Sequence, residues 1–351
     1  MRIAAAVLAL SVVASASATP PPRFPPNSVW HRDISVAPPH PDSASMIQAT
    51  GGWGNGNKFQ IDFSFYVLND PNAAAPMVDV IPNPEEYYSP DCDNPNLPST
   101  TFPLPTGGAI EGQAGYTCDN RCEDEDEECD DCHLLVVRGR TLFEAYSTNV
   151  VGGKVEARCA LRWNLDRVYP PEGRGEQCTG ADAAGFPIAP LLFNADEVQA
   201  ALPDGDLGHA IRFILPNPSM AAATYVHPGT HAGAPNGASS KIPYGSRLRL
   251  RADFPLTNYN AAAKVILRTM QRYGIVLSDG GNIALTAESD RYTTAKWATL
   301  GVTGQMFNPG VGNPAVQLGD FQVLQTGSRF PLTFDCERIP DDFIFIDHFQ
   351  F

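Results

Sequence analysis

Alternation of apolar and polar residues is the clearest pattern along the chain. In Phe59-Gln60-Ile61-Asp62-Phe63-Ser64-Phe65 the character changes at every step, the two-residue period of a strand with one buried face. A second run, Arg247-Leu248-Arg249-Leu250-Arg251, lies within a predicted strand over residues 246–254 and should turn its leucines to the core and its arginines to the other face. Residues 133–137 and 141–146 flank Arg138-Gly139-Arg140, which predicts a hairpin turning at the glycine. Residues 77–81, 155–165, 209–215 and 224–227 read as further strands.

A period of 3.6 is convincing once. Between residues 260 and 273, Ile266, Met270 and Tyr273 share a stripe while Lys264, Arg268 and Arg272 share the opposite face. Asn258 or Asn260 can cap the start and Gly274 can end the helix. A strand at 275–277 then turns through Asp279-Gly280-Gly281-Asn282 into 283–286, and shorter helices are expected within 182–201 and near 292–300. No internal repeat of fixed period is present. Strands without regular βαβ alternation predict a mainly β fold, a β-sandwich or jelly-roll-like domain with a few appended helices.

The ends divide differently. Arg2, an apolar run over 3–13 and the small residues Ala14-Ser15-Ala16-Ser17-Ala18 form a signal-peptide pattern, with cleavage expected after Ala18. Residues 19–41 hold eight prolines and read as an extended lead crossing the surface. A β-rich globular domain is expected over 42–325, interrupted by an acidic, Cys-rich insertion at 114–132, with a tail over 326–351. No later segment reaches the ~20 apolar residues a membrane helix needs. The expected location is secreted or periplasmic.

Composition supports this picture. With 30 Gly and 32 Pro in 351 residues, the chain is built around turns. The net charge of −15 argues against nucleic-acid and anionic-membrane partners, which need clustered Lys and Arg. Nine acidic residues and one Arg fall within 118–132, so that segment carries over half of the excess. Eight cysteines in an exported chain favour disulfides. Four lie in Cys118-x3-Cys122-x6-Cys129-x2-Cys132; Cys159 and Cys178 could close a short loop, leaving Cys92 and Cys336.

A series of motifs over roughly residues 100–290 resembles a family of secreted microbial proteins of unassigned activity. They are Phe102-Pro103-Leu104-Pro105 leading to Ile110-Glu111-Gly112, the His-led strand His133-Leu134-Leu135-Val136-Val137, and Leu142-Phe143-Glu144-Ala145-Tyr146. Ala181-Asp182-Ala183-Ala184-Gly185-Phe186, His209-Ala210-Ile211-Arg212-Phe213 and Tyr225-Val226-His227-Pro228 with His231 follow. The strand 247–253 and the helix ending Arg272-Tyr273-Gly274 complete the set. The chain departs from the pattern by its acidic insertion between Glu111 and His133. The resemblance implies an extracellular protein and brings no reaction with it.

Candidate chemistry divides among several constellations. The four clustered cysteines fit a disulfide-pinned loop better than a zinc knuckle, and the carboxylates between them lack the spacing of a calcium loop. His227-x3-His231, with His133 or His209, could hold a metal, although Pro228-Gly229 prevents a helix there. No Gly-x-Ser-x-Gly elbow is present. Paired carboxylates remain. Glu111, among glycines, and Asp182, in an apolar run, are the expected catalytic pair of a glycoside hydrolase. Asp182 also reads as a helix N-cap, and Glu144, alternating along a strand, as exposed. His133, His209, Arg212 and His231 would bind substrate, and Trp53, Tyr87 and Tyr88 could stack on sugars. The expectation is a secreted carbohydrate-active enzyme hydrolysing an extracellular polysaccharide without a cofactor. The alternatives are a non-catalytic extracellular binding or surface protein, and a His-dependent metalloenzyme.

Overall fold

The computed structural model describes residues 21–84, 86–95, 97, 100–119, 131–312 and 314–339. The expected signal peptide and its cleavage point, most of the acidic segment with Cys122 and Cys129, and the last residues of the tail lie outside the described residues.

The fold is mainly β, with strands in several sheets and few helices, and among the described residues no sheet closes into a barrel. The largest sheet has six strands in the order Ile61–Phe65, Leu285–Glu288, Ile211–Leu215, Ile275–Gly280, Arg247–Leu250 and Phe321–Val323. Its middle pair, Ile211–Leu215 and Ile275–Gly280, runs parallel. The helix Ala261–Arg272 packs on this sheet beside Arg247–Leu250, with Val265, Ile266, Leu267 and Met270 buried. Asn260 caps it by accepting from the Ala263 N–H at 2.8 Å. Gly274 follows with φ +74°, and a Cβ there would meet the Leu248 carbonyl oxygen, so glycine is required.

A four-stranded sheet, Val67–Asp70, Leu134–Arg138, Thr141–Tyr146 and Cys159–Asn164, sits between two apolar clusters. The expected hairpin at Gly139 forms its centre. Leu135, Val137 and Leu142 face the main core; Leu134, Val136 and Phe143 face a smaller one with Val80, Phe102 and Val155. Both faces are therefore buried, which explains why these strands read as continuous apolar runs. It also corrects the reading of Glu144. The residue shares the face of Leu142 and is fully buried, accepting from Trp163 Nε1 at 3.0 Å and from the Ile188 and Ala189 N–H groups at 2.7 and 3.1 Å.

Two other expectations change. Residues 155–165 are two strands, because the chain leaves one sheet at Ala157 and enters another at Cys159. The Pro-rich lead is packed, with Phe24, Trp30 and Ile34 buried and Trp30 edge-on to Phe186 at 4.9 Å. The alternating arginines explain how. Arg247 donates to the Val29 and Arg32 carbonyls, and Arg249 to those of Ile34, Ser35 and Ala37. Proline-rich backbone has no ladder to satisfy its carbonyls, and the polar face of this strand supplies donors instead.

Candidate active site

A cleft of about 620 Å³ opens where the ends of both large sheets meet the surface loops. Its floor carries Asp279, at the end of strand Ile275–Gly280. Pairing with Ile211–Leu215 jumps from Phe213↔Leu277 to Ile214↔Asp279, so Ser278 has no partner opposite it. Such a bulge bends a strand and re-aims the side chains beyond it. The Asp279 side chain is 26% exposed and 3.7 Å from Arg212 Nη2. One oxygen accepts from the Gly280 N–H at 2.7 Å, the other from the Ala183 N–H at 3.4 Å.

Arg212 stands on the neighbouring strand, essentially fully buried, and donates to Asp182 at 2.8 Å and to Thr286 Oγ1 at 3.2 Å. Two carboxylates thus share one guanidinium. Burial pushes the Asp182 carboxyl up to about 7 against the pull of Arg212. Asp279 is also raised, first by burial, opposed by Arg212 and reinforced by the negative charge of Asp131. Asp131 lines the same cleft and is exposed. Asp182 is not a helix cap. Its carboxylate goes to Arg212 and the Ala184 N–H, and the helix that follows starts at Ala195, capped by Asn194.

Glu111 and His133 form a separate closed pair. His133 Nδ1 lies 2.7 Å from Glu111 Oε2, and Ser64 Oγ donates to Glu111 Oε1 at 2.7 Å. His133 Nε2 lies 2.9 Å from the Ala181 carbonyl oxygen, so both ring nitrogens face acceptors and the imidazolium is favoured. Burial pulls His133 down, but Glu111 more than reverses this and holds it up at about 9. Burial likewise raises Glu111, and His133 brings it below its ordinary value. Neither residue lines the cleft. Tyr146 bridges the two regions, its ring 5.4 Å from His133 and stacked on Tyr88 at 6.1 Å in the cleft wall.

The other expected residues scatter. His231 lines the cleft, hydrogen-bonded at Nδ1 to the Ala183 carbonyl at 3.1 Å, and burial lowers its pKa. His209 is completely buried on the side of the Pro-rich lead, with Nδ1 2.7 Å from the Ala210 carbonyl and Nε2 3.8 Å from Glu197. His227 pairs with Glu176 at 2.9 Å beside Glu172. Among the described residues, no compact group of three metal-ligand atoms contains two histidines. Trp53 is a core residue, its Nε1 donating to the Val316 carbonyl and its ring 4.4 Å from Phe59, so it offers no face to a sugar. Tyr87 and Tyr88 do line the cleft.

Disulfides fasten the cleft walls. Cys92 pairs with Cys159 and Cys178 with Cys336, so the expected Cys159–Cys178 loop is replaced by two long-range links. Cys118 pairs with Cys132, which removes both as zinc ligands. Sequence reasoning missed Asp279, Asp131, Tyr146 and Tyr244. The signal for Asp279 was an acid ending the apolar run Ile275-Val276-Leu277, which was read as a turn. The chain matches no family model, no curated protein and no solved structure.

Proposed function

We propose that this protein is a carbohydrate-active hydrolase, exported from the cytoplasm, that cleaves an extracellular polysaccharide in the Asp279 cleft. The observation that supports this best is a partly exposed carboxyl on the cleft floor, kept toward its protonated form by burial and by a second carboxylate, Asp131, nearby. Glycoside hydrolysis uses that pairing: one carboxylic acid protonates the leaving oxygen while one carboxylate acts as nucleophile or base. In this reading Asp279 is the acid and Asp131 the partner. Tyr88 and Tyr146 present aromatic surface to pyranose rings. His231 contacts hydroxyls. Asp182 and Arg212 position Asp279 from beneath.

The expected pair, Glu111 and Asp182, is thereby shifted by one layer. Both remain in the site's support, and the reacting groups become the carboxylates that open to the cleft. The two larger sheets facing the main core form, in the same proposal, a sandwich-like frame. Disulfides and the absence, among the described residues, of any helix able to cross a membrane are compatible with export.

The test is release of reducing ends from a panel of plant and microbial polysaccharides. Asp279→Asn keeps the shape and removes the proton, so the rate should fall on the order of 10²–10⁴-fold with the thermal midpoint retained. A variant that keeps wild-type rate sinks the assignment. Saccharide binding without cleavage of any polymer would favour the non-catalytic binding reading.

A further inference from the structure

Charge on the cleft wall narrows the ligand, and the inference rests on the cleft being the substrate site. Glu86, Asp91, Asp131 and Asp279 all line it, and among the described residues no Lys or Arg does. Several arginines lie nearby without lining the cleft. Arg212 is shared between Asp182 and Asp279. Arg158 stands beside Tyr88 and Tyr146. Arg174 donates to the main-chain oxygen of Asp91 while pairing with Asp93 at 3.0 Å. A cleft lined by one sign of charge concentrates ligands of the other sign and rejects its own.

The cleft also has flat apolar surface. Tyr87, Tyr88, Tyr146 and Phe334 supply rings around the carboxylates. Sugars place C–H faces on such rings, and a cation near a tyrosine face gains further attraction. Anionic polymers such as polyuronates would meet carboxylates on every side, with desolvation and like-charge cost. A neutral polymer would bring no charge to Glu86 and Asp91. From this combination we infer that the cleft takes a polysaccharide of cationic sugars, an amino-sugar polymer with free amines, whose ammonium groups meet Glu86 and Asp91 while its rings lie on the tyrosines.

The experiment compares binding of three oligomers of equal length by titration calorimetry: a glucosamine oligomer, its fully N-acetylated form and an oligouronate. At low salt the glucosamine oligomer should bind on the order of tenfold tighter than the acetylated one, the effect of about two partly exposed ion pairs. The advantage should shrink at high salt as those pairs are screened. Glu86→Gln combined with Asp91→Asn should remove most of it, while the asparagine oxygen still accepts from the Thr179 N–H that Asp91 now takes at 2.7 Å. Equal or better binding of the acetylated oligomer or the oligouronate overturns the inference, as does absence of binding by all three. Tighter binding of a lysine-rich peptide than of the glucosamine oligomer overturns it in favour of a protein ligand. Preferred binding of the glucosamine oligomer without its cleavage leaves this inference standing and removes the hydrolytic reading. Asp279-dependent cleavage of a neutral polymer with no preference for free amines does the reverse.

Discussion

The two buried charge clusters differ in how their charges add up. Glu111 and His133 are one anion and one cation, 2.7 Å apart, each holding the other ionised. Asp182, Arg212 and Asp279 are two acids and one base. The first set pairs one for one, with Asp62 beside it on the shared Ser64 hydroxyl. The second leaves one carboxyl over, and that carboxyl is the one on the cleft floor. A balanced buried pair has little reason to exchange a proton near neutral pH, whereas an unbalanced set keeps a proton available at its exposed end.

Rates give the largest contrast. Asp279→Asn should lose on the order of 10²–10⁴ in rate, as above, while Glu111→Gln should retain activity within about tenfold per folded molecule. If Glu111→Gln abolishes turnover in protein that remains folded, the closed pair is part of the chemistry and the distinction between the clusters fails.

Stability should separate them next. Arg212→Met removes the cation that Asp182 and Asp279 share, and breaking a buried pair in this way costs about 3–5 kcal/mol. Glu111→Gln should cost less, because it orphans one group, His133, which can shed its proton, whereas Arg212→Met leaves two carboxyls, Asp182 and Asp279, without their cation. Urea titration at pH 7 ranks the two, and equal losses would contradict the argument.

Glu111 and Asp182 respond to pH with opposite signs, while His133 shares the sign of Asp182 in a higher window. His133 is raised from 6.5 to about 9, so its stabilising effect is complete below about pH 6.5 and is lost as pH rises through about 9. Glu111 is lowered from 4.5, so its contribution is present above that value and is lost as pH falls through its folded value. Asp182 behaves the other way. Raised from 3.8 to about 7, it progressively opposes folding as pH climbs between those values. Thermal midpoints across pH 4–9 should therefore show Asp279→Asn gaining on the wild type from pH 4 to pH 7, since the variant removes one of the two competing carboxyls. The decline above pH 7 should be weaker in Glu111→Gln than in the wild type.

The smallest effect belongs to the surface. Arg272 reaches Asp33 and Asp206 at 2.8 and 3.0 Å but is half exposed, so Arg272→Ala should cost no more than about 1 kcal/mol. A larger loss would mean that this contact with the lead carries more than a solvated ion pair.

Much of the frame was legible because its signals are local. Phe59 to Phe65, the hairpin at Gly139 and the helix capped by Asn260 follow from alternation, turn residues and a 3.6-residue stripe. The burial of Glu144 was not legible, since alternation separates the two faces of a strand without revealing that both are covered. Disulfide partners 67 and 158 residues apart are likewise invisible to spacing. The same limit applied to the site. Asp182 and Arg212 could be singled out as candidates, but their common partner, Asp279, looked like one more turn residue until the parallel pairing of two distant strands placed it beside them.

The two long-range disulfides have a consequence for when the cleft exists. Cys92 follows the Tyr87-to-Asp91 wall and Cys336 follows Phe334, so both walls are attached to the body through bonds that form only under oxidation. Sheet pairing and core packing involve no such requirement. Under reducing conditions the sheets would assemble while the sides of the Asp279 pocket lacked these links, and the pocket's fixed shape would arrive with oxidation. On the proposed function, the cleft would stay silent toward sugars until that oxidation had taken place.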